Sequence, residues 1–374
     1  MQQKAPVRVG ISGSYGGMNL GDEAILHSII TQLRRSLKTE ITVFTRDCKD
    51  TLMRHRVEHA VHSQNMSRPE IVSEIESLDV LIVGGGGLLY DARARAHLRE
   101  ASVAVDRGVP VMIYAVGAGP LKDSSVQDFI RSVLERVDCL TVRDKRTCQL
   151  LEDSGLKRQI QITADPALLL EPETVDMVSL HREGITGKKK IIGMSVREPG
   201  VAAPDIQEGH YHALLANAAD FLIERFDADI LFIPMEPGVF DLQHAHAVIS
   251  RMLRPQRASV LQGLYSSGQL LTVISNLEFA VGMRLHFLIF AAIMGIPFVA
   301  LPYSPKVAGF LDDMQIEMPP LNLVNVGRLT AYIDKAWDQK KELKKQIRTM
   351  LPIIQKRATE NNSILVELLN RKKA

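Results

Sequence analysis

Short runs of hydrophobic residues recur along the first half of the chain, each followed by glycine or a polar turn and then by a helical pattern. The clearest runs cover residues 7–11, 41–45, 80–83, 111–114 and 139–142. Continuous apolar runs of this length predict strands that are buried on both faces, as in a parallel sheet. Their alternation with helices predicts a β-α-β-α unit with helices on both faces of the sheet.

A polar stretch over residues 171–190 interrupts this pattern with a proline, two glycines and three lysines, and it predicts a linker. Apolar runs then return at 191–196, 230–233, 279–281 and 298–301, with helical patterns between them. The sequence therefore predicts an α/β fold with a first domain over 1–170, a second over 191–325 and helices over 326–374. We expect the two domains to face a cleft.

The uncharged stretch 287–305 is long enough for a membrane span, but Gly295-Ile296-Pro297 interrupts it. It predicts a buried helix that ends near Met294, followed by a strand at 298–301.

Ligands in open α/β sheets bind beyond the carboxyl ends of the strands, so the residues after each apolar run are candidate site residues. The loop after the first run carries Gly16, Gly17, Asn19 and Asp22. Glycines allow a ligand to approach the backbone, and the following helix N-terminus favours an anion. The alternative is a flexible turn in which Asn19 or Asp22 caps that helix, and for Asp22 the sequence favours a cap and a catalytic role equally.

Four glycines, 84–87, follow the run at 80–83 and precede Tyr90 and Asp91. Close approach of a ligand or tight helix–strand packing explains such a run, and both explanations stay open. Arg143-Asp144 follows a later run and is typical of a local ion pair that opens a helix.

Cationic residues follow the strands of the second half. Arg197 comes after the run at 191–196, Arg284 and His286 lie between a strand and an apolar helix, and Ser304 and Lys306 follow the last run. Such a group predicts a site for a small, highly charged anion. Arg284 and His286 are two residues apart, so both reach one site only if the helix begins here.

Seven segments resemble the polysaccharide pyruvyltransferase family and follow the family's order. The first segment and the RLH of residues 284–286 are the most specific. Val116 stands where the family usually has glutamine, and Ser304 where it usually has an acidic residue. The segments are GGMNLGDEAIL (16–26), LIVGGGGLLYD (81–91), YAVGAGP (114–120), VRD (142–144), ADPALLL (164–170), GMRLHFLIFAA (282–292) and YSPKV (303–307).

The resemblance is closest to the bacterial branch that serves the anchoring of surface-layer (S-layer) proteins. It implies a glycosyltransferase-B-like fold of two Rossmann-like domains, with the acceptor on the N-terminal side and phosphoenolpyruvate on the C-terminal side. It also implies a 4,6-linked pyruvate ketal on a terminal N-acetylmannosamine of a lipid-linked secondary cell-wall polymer precursor. Phosphoenolpyruvate is then a co-substrate, and no cofactor is expected.

Within this chemistry, we expect Arg197, Arg284, His286, Ser304 and Lys306 to bind phosphoenolpyruvate. His286 is the candidate general acid or phosphate partner, because imidazole transfers protons near neutral pH. Asp22 is the candidate that activates a sugar hydroxyl, with Arg284 as a third catalytic candidate. The acceptor candidates, Asp22 again among them, are Gly16, Gly17, Asn19, Asp22, Gly85, Gly86, Tyr90 and Asp91.

No metal site is expected from the sequence. His210 and His212, like His244 and His246, are two residues apart on helical patterns, which is not a zinc-ligand spacing, so surface positions are predicted. Two other functions remain open. One is a glycosyltransferase that uses a nucleotide-sugar, and the other is a two-domain sugar- or anion-binding protein without catalysis.

Composition limits the class of protein without selecting a function. The 374 residues are 46% hydrophobic and 24% charged with a net charge of +2, which excludes a generally basic nucleic-acid binder. Three cysteines without a CxxC motif, and an N-terminus without a signal-peptide core, predict a cytoplasmic protein.

The basic residues concentrate at the C-terminus, where the segment from Arg328 onward has a net charge of +7. Its pattern predicts terminal helices that are interrupted at Pro352 and pack on the domains with a solvated lysine face. The alternative is contact with anionic lipid, or with an acceptor's diphosphate, at the inner membrane face. The residues concerned are Lys340, Lys341, Lys344, Lys345 and Arg348. Oligomeric state is not predicted.

Overall fold

A computed structural model describes residues 5–198, 207–236, 240–301, 305–317 and 325–371. The chain consists of two compact units. The first contains residues 1–170 and 354–374, and the second contains residues 171–353.

The first unit is built on a seven-stranded parallel sheet with strand order β3-β2-β1-β4-β5-β6-β7. Central strands are continuous apolar segments, buried on both faces because helices cover each side. Its elements are β1 (Val7–Ser12), α1 (Leu20–Ser36), β2 (Thr39–Thr45), α2 (Cys48–Arg54), β3 (His59–His62), α3 (Arg68–Glu76), β4 (Val80–Leu89), α4 (Ala94–His97), α5 (Arg99–Asp106), β5 (Val111–Ala118), α6 (Ser124–Leu134), β6 (Cys139–Val142), α7 (Lys145–Asp153) and β7 (Gln161–Ile162).

The second unit is built on a five-stranded parallel sheet with strand order β10-β9-β8-β11-β12. In both sheets the order reverses beside the first strand, which is the arrangement of a Rossmann-like domain. The elements are α8 (Met177–Arg182), β8 (Lys190–Ser195), α9 (Glu208–Phe226), β9 (Ala228–Phe232), α10 (Phe240–Ile249), β10 (Ala258–Val260), α11 (Ser267–Ile274), β11 (Phe279–Gly282), α12 (Leu285–Ile293), β12 (Phe298–Ala300), α13 (Pro305–Met314), α14 (Val326–Asp338) and α15 (Lys340–Arg371).

Residues 171–190, predicted as a linker, belong to the second unit and include α8. Leu180 is buried there. The Glu183 carboxylate accepts hydrogen bonds from the backbone N–H groups of Gln262 and Gly263 at 2.9 and 2.8 Å. The pattern of apolar residues does not predict that this segment packs on the second unit, because hydrogen bonds to the buried Glu183 carboxylate make much of the contact.

The basic C-terminal segment forms two helices, α14 and α15, and α15 continues through Pro352. The predicted interruption at this proline is therefore wrong. Ile347 and Ile354 are buried on either side of it, so packing holds both parts of the helix in place. Residues up to 353 belong to the second unit and the remainder to the first.

Asn361 connects the end of α15 to the core of the first unit. Its side chain is fully buried, and its Oδ1 accepts hydrogen bonds from the hydroxyls of Thr141 and Thr163 at 2.6 and 2.8 Å. Its Nδ2 donates to the carbonyl of Ala164 at 3.3 Å. The last helix is thus a structural part of the unit with which the chain begins.

The apolar stretch that begins at Phe287 forms most of α12 and then β12, as the sequence predicts. None of the described helices is both long enough and apolar enough to cross a membrane. Cys48, Cys139 and Cys148 are free thiols.

Candidate functional site

The predicted acceptor residues lie around the switch point of the first sheet, where β1 and β4 run side by side. Asn19 caps α1, because its Oδ1 accepts hydrogen bonds from the N–H groups of Gly21 and Asp22 at 3.0 and 3.4 Å. Of the two capping candidates, Asn19 therefore takes the role. Asp22 lies in the first helical turn, half-buried.

The glycine run lies inside β4, so the predicted strand end at residue 83 is wrong. The glycines allow α1 to pack closely on the strand: a Cβ at Gly84 would lie 2.8 Å from Ile29, and Gly85 has a positive φ of 39° against Ile25. Packing therefore explains these two positions. At Gly86 the nearest neighbour is a polar atom instead, because a Cβ there would lie 3.3 Å from Oδ1 of Asp22.

Gly16 and Gly17 fold their loop against the end of β2. A Cβ at Gly16 would collide with the backbone N of Asp47, and one at Gly17 with the guanidinium of Arg46. The Gly16 N–H donates to the carboxylate of Glu23 at 2.9 Å. Close packing explains both glycines without a ligand.

Tyr90 and Asp91 have different surroundings. Asp91 accepts hydrogen bonds from the backbone N–H groups of Lys122 and Asp123 at 2.8 and 3.2 Å, so it holds the loop after β5. Tyr90 is half-buried, and burial raises its pKa, with a smaller contribution from the charge of Asp22. Asp22 and Tyr90 thus share one region, whereas Asp91 has a structural role.

A cavity of about 240 Å³ lies beside this region, beyond the ends of β1 and β2. Arg46, Arg93, His97, Arg99 and Glu100 line it, and none of them is a predicted site residue. Burial, aided by the charges of Arg93 and Arg46, lowers the pKa of His97 to about 4. The three arginines can hold an anionic or polyhydroxylated ligand. Arg46 directly follows β2, so attention to strand ends could have found it.

Arg143 is buried against two carboxylates, with Asp144 at 3.5 Å and Asp165 at 3.2 Å. Asp144 also caps α7 by accepting a hydrogen bond from the N–H of Thr147 at 2.7 Å. The predicted local ion pair at a helix start is confirmed.

Three of the predicted phosphoenolpyruvate residues, Arg197, Arg284 and His286, lie around the switch point of the second sheet. Gly282 at the end of β11 pairs with Ser195 of β8 and with Ala300 of β12. Arg197 and Arg284 each follow one of these strand ends by two residues, so the topology brings them to the same edge. Ser304 lies outside the described residues, and Lys306 is in the first turn of α13.

Helix α12 begins at Leu285, so Arg284 occupies the N-cap position and the partly exposed His286 lies in the first turn. This meets the condition under which both side chains can reach one site. The helix N-terminus adds a partial positive charge at the same place.

Carboxylates that are not among the predicted site residues accompany these cations. Arg284 is buried and forms ion pairs with Asp241 at 3.0 Å and Glu236 at 3.3 Å. Arg197 forms an ion pair with Glu198. Burial disfavours the Glu198 charge, but the hydrogen bond and charge of Arg197 outweigh it and lower the pKa of Glu198. Both arginines are thereby fixed in position.

Two histidines predicted at the surface are buried. His212 is 4% exposed and His244 is 7% exposed, and Nε2 of the first lies 2.8 Å from Nδ1 of the second. Glu208 lies one helical turn before His212, and these three residues form a group that could hold a metal ion. The predicted surface positions of His212 and His244 are wrong. They rest on the spacing of histidines along one helix, whereas the contact joins α9 to α10.

Comparison with known proteins identifies the family. A model of the family described as "Polysaccharide pyruvyl transferase" matches residues 19–305. "Amylovoran biosynthesis protein AmsJ" from Erwinia amylovora is 20% identical over 301 residues, which is 76% of this chain and 72% of that protein.

Solved structures share the fold at low sequence identity. A putative UDP-N-acetylglucosamine 2-epimerase from Listeria monocytogenes superposes with a TM-score of 0.63 at 12% identity, covering 99% of this chain and 97% of the other. A glycosyltransferase from Rickettsia africae gives a TM-score of 0.62 at 10% identity, covering 98% and 99%. The fold is therefore glycosyltransferase-B-like, with two parallel-sheet α/β domains. With a family match over most of its length, the chain belongs to the polysaccharide pyruvyl transferase family and is a pyruvyltransferase of polysaccharide biosynthesis.

Proposed function

We propose that this enzyme transfers pyruvate from phosphoenolpyruvate to a sugar as a ketal, with the donor on the second unit and the acceptor on the first. The observation that carries the proposal is the edge of the second sheet. There Arg197 and the Arg284–His286 pair follow adjacent parallel strands at the switch point. Phosphoenolpyruvate carries a phosphate and a carboxylate close together, which suits two fixed guanidinium groups and a helix N-terminus.

The proposed reaction balances without a redox cofactor. The methylene carbon of phosphoenolpyruvate gains a proton, the bond from the central carbon to the phosphate oxygen breaks, and two sugar oxygens bond to that carbon. Of the two hydroxyl protons, one ends on the new methyl group and the other on the released phosphate. Positive charge develops at the central carbon, so holding the departing phosphate stabilises the transition state.

Residue roles follow from position. His286, partly exposed in the first turn of α12, supplies the proton to the methylene carbon or to the phosphate. Arg197, Arg284 and Lys306 bind the two anionic groups, and Ser304 is a further candidate contact. On the first unit, Asp22 accepts a proton from a sugar hydroxyl.

For the acceptor, we propose N-acetylmannosamine at the end of a lipid-linked secondary cell-wall polymer precursor, joined through a 4,6-ketal. The basis is the sequence resemblance to the S-layer-anchoring branch. The cavity lined by Arg46, Arg93 and Arg99 is suited to an acceptor that carries a diphosphate. The AmsJ relative is named for amylovoran biosynthesis, which supports a polysaccharide pathway without selecting this sugar.

A lipid-linked acceptor places the proposed reaction in the cytoplasm at the inner membrane face. Lys341, Lys345 and Arg348 are exposed on α15 at a spacing that puts them on one helix face. We propose that this stripe contacts anionic lipid. Lys340 contributes less, because it pairs with Glu278 at 2.6 Å.

The test is phosphate release from phosphoenolpyruvate, with the ketal detected by NMR, using N-acetylmannosamine-terminated and other N-acetylhexosamine acceptors. Wild-type enzyme should release one phosphate for each ketal formed. His286→Asn should abolish both, whereas His246→Asn, which changes an exposed histidine, should leave both unchanged. Absence of phosphate release with every acceptor would contradict the proposal.

A glycosyltransferase reaction remains the second candidate, because a solved structure with this fold is named a glycosyltransferase. The same acceptors incubated with nucleotide-sugars in place of phosphoenolpyruvate test it. Sugar transfer without ketal formation would favour this alternative.

A further inference from the structure

We propose that Glu208, His212 and His244 form a binding site for a divalent transition metal of the zinc class in the second unit. Glu208 and His212 lie one turn apart on α9, and His244 comes from α10. Candidate ligand atoms of these three residues lie within 4.8 Å of one another. Two imidazoles and a carboxylate are a donor set that zinc and related ions prefer.

The two histidine nitrogens converge on one point. Nε2 of His212 and Nδ1 of His244 are 2.8 Å apart, so without a metal one ring must donate a proton to the other. A metal ion can replace that proton and accept both lone pairs.

The third ligand needs only a small movement. Oε1 of Glu208 lies 3.9 Å from Nε2 of His212 and 4.0 Å from Nδ1 of His244. Tetrahedral coordination with bonds of about 2.0–2.1 Å separates neighbouring ligand atoms by roughly 3.3 Å. The Glu208 side chain is 64% exposed, so it can rotate toward the histidines.

Glu198 provides a carboxylate behind one of the ligands. If His244 binds the metal through Nδ1, its Nε2–H is directed to a second partner, and Oε2 of Glu198 lies 4.0 Å away. That buried oxygen has no hydrogen-bond partner among the described residues. Metal-bound histidines commonly donate their other N–H to a carboxylate, which fixes the ring and strengthens the ligand.

The experiment measures metal binding and does not depend on the proposed pyruvyl transfer. Chelator-treated enzyme is titrated with ZnCl₂ by calorimetry, and with CoCl₂ by visible absorption, whose intensity rises when coordination falls from six to four. Wild-type enzyme should bind one zinc per chain at this site. Replacing His212 or His244 by alanine should weaken binding by more than the roughly 10–100-fold typical of losing a residue that hydrogen-bonds to a metal ligand.

The chain offers matched variants on the same two helices. His210→Ala and His246→Ala remove exposed histidines two residues from the ligands and should leave zinc affinity within twofold. Glu208→Gln removes a proposed ligand, so the variant should lose zinc affinity. Its fold should be retained, because the side chain is exposed. Glu198→Gln should weaken binding by about 10–100-fold.

Several results would overturn the proposal. They are no zinc binding by the wild-type enzyme, six-coordinate cobalt spectra throughout, or equal affinity in Glu208→Gln and the two control variants. The histidine pair would then be a hydrogen bond that joins α9 to α10.

Discussion

Replacing Asn361 by leucine tests how the last helix is attached to the first unit. The asparagine amide joins the hydroxyls of Thr141, in β6, and Thr163, directly after β7, to a backbone carbonyl, and its surroundings are fully buried. Leucine branches at the same carbon as asparagine, is larger and lacks hydrogen-bonding groups, so the substitution removes the bonds without opening a cavity.

The expected loss of stability depends on which other hydrogen bonds the partners of Asn361 can form. The hydroxyls of Thr141 and Thr163 also lie 3.2 Å from the carbonyls of Ile113 and Val142, so both can reorient. The carbonyl of Ala164 loses the side-chain donor at 3.3 Å. Counting about 1 kcal/mol for each of two or three net hydrogen bonds, we expect the free energy of unfolding to fall by about 2–3 kcal/mol.

Urea unfolding followed by two probes measures this loss. Trp337 is the single tryptophan, and its ring stacks on Phe226 in the second unit with centroids 4.0 Å apart, so its fluorescence reports on that unit. Far-UV circular dichroism reports on both. Asn361→Leu should shift the circular dichroism transition and leave the fluorescence transition in place.

Asn362→Leu is the matched control. It removes one exposed hydrogen bond, from Nδ2 to the hydroxyl of Ser36 at 3.1 Å, and should cost about 0.5 kcal/mol or less. Equal destabilisation by both variants would refute the reasoning about the buried amide. An Asn361→Leu shift seen only in fluorescence would refute the assignment of the helix end to the first unit.

Three further predictions concern the sites and the surface. Asp22→Asn should lower ketal turnover by about 10²–10⁴-fold while the Kd of phosphoenolpyruvate stays within twofold, and unchanged turnover would exclude the proposed base. Because burial lowers the pKa of His97 from 6.5 to about 4, its contribution to stability is complete above pH 6.5 and is lost as the pH falls toward 4. His97→Gln should make the urea midpoint of unfolding depend less on pH over that range. Wild-type and variant midpoints that change in parallel with pH would contradict the lowered pKa of His97. Replacing Lys341, Lys345 and Arg348 by glutamate should reduce binding to anionic liposomes but preserve turnover on a short soluble acceptor; equal loss of both would tell against the membrane contact.

The central strands could be predicted from the sequence because burial on both faces requires continuous apolar runs. The edge strands of the first sheet could not. β3 is HAVH and β7 only Gln161–Ile162, too short and too polar for a periodic signal. The predicted end of β4 at residue 83 is too early because glycine disfavours strands, whereas in this strand the glycines allow α1 to pack closely.

The candidate site shows the same division. Arg197 and Arg284 could be found because each follows a strand, and strand ends share one edge of a parallel sheet. Asp241, the partner of Arg284, could not, because it reaches Arg284 from α10, 43 positions away in sequence. The His212–His244 contact was missed for this reason too. Pairings between elements depend on tertiary packing, which the spacing of residues along one helix does not encode.

The return of α15 to the first unit has a consequence for the order of synthesis. Domains generally fold as units, with the N-terminal one first as the chain leaves the ribosome. Here the unit that emerges first lacks Asn361 and its buried helix until the second unit has been made. The nascent first domain therefore cannot complete this hydrogen-bonded core, with the hydroxyls of Thr141 and Thr163 uncovered, until residues that follow the second unit have been made. A truncation that removes Asn361 would thus damage a domain whose Thr163 lies 198 positions earlier in the sequence.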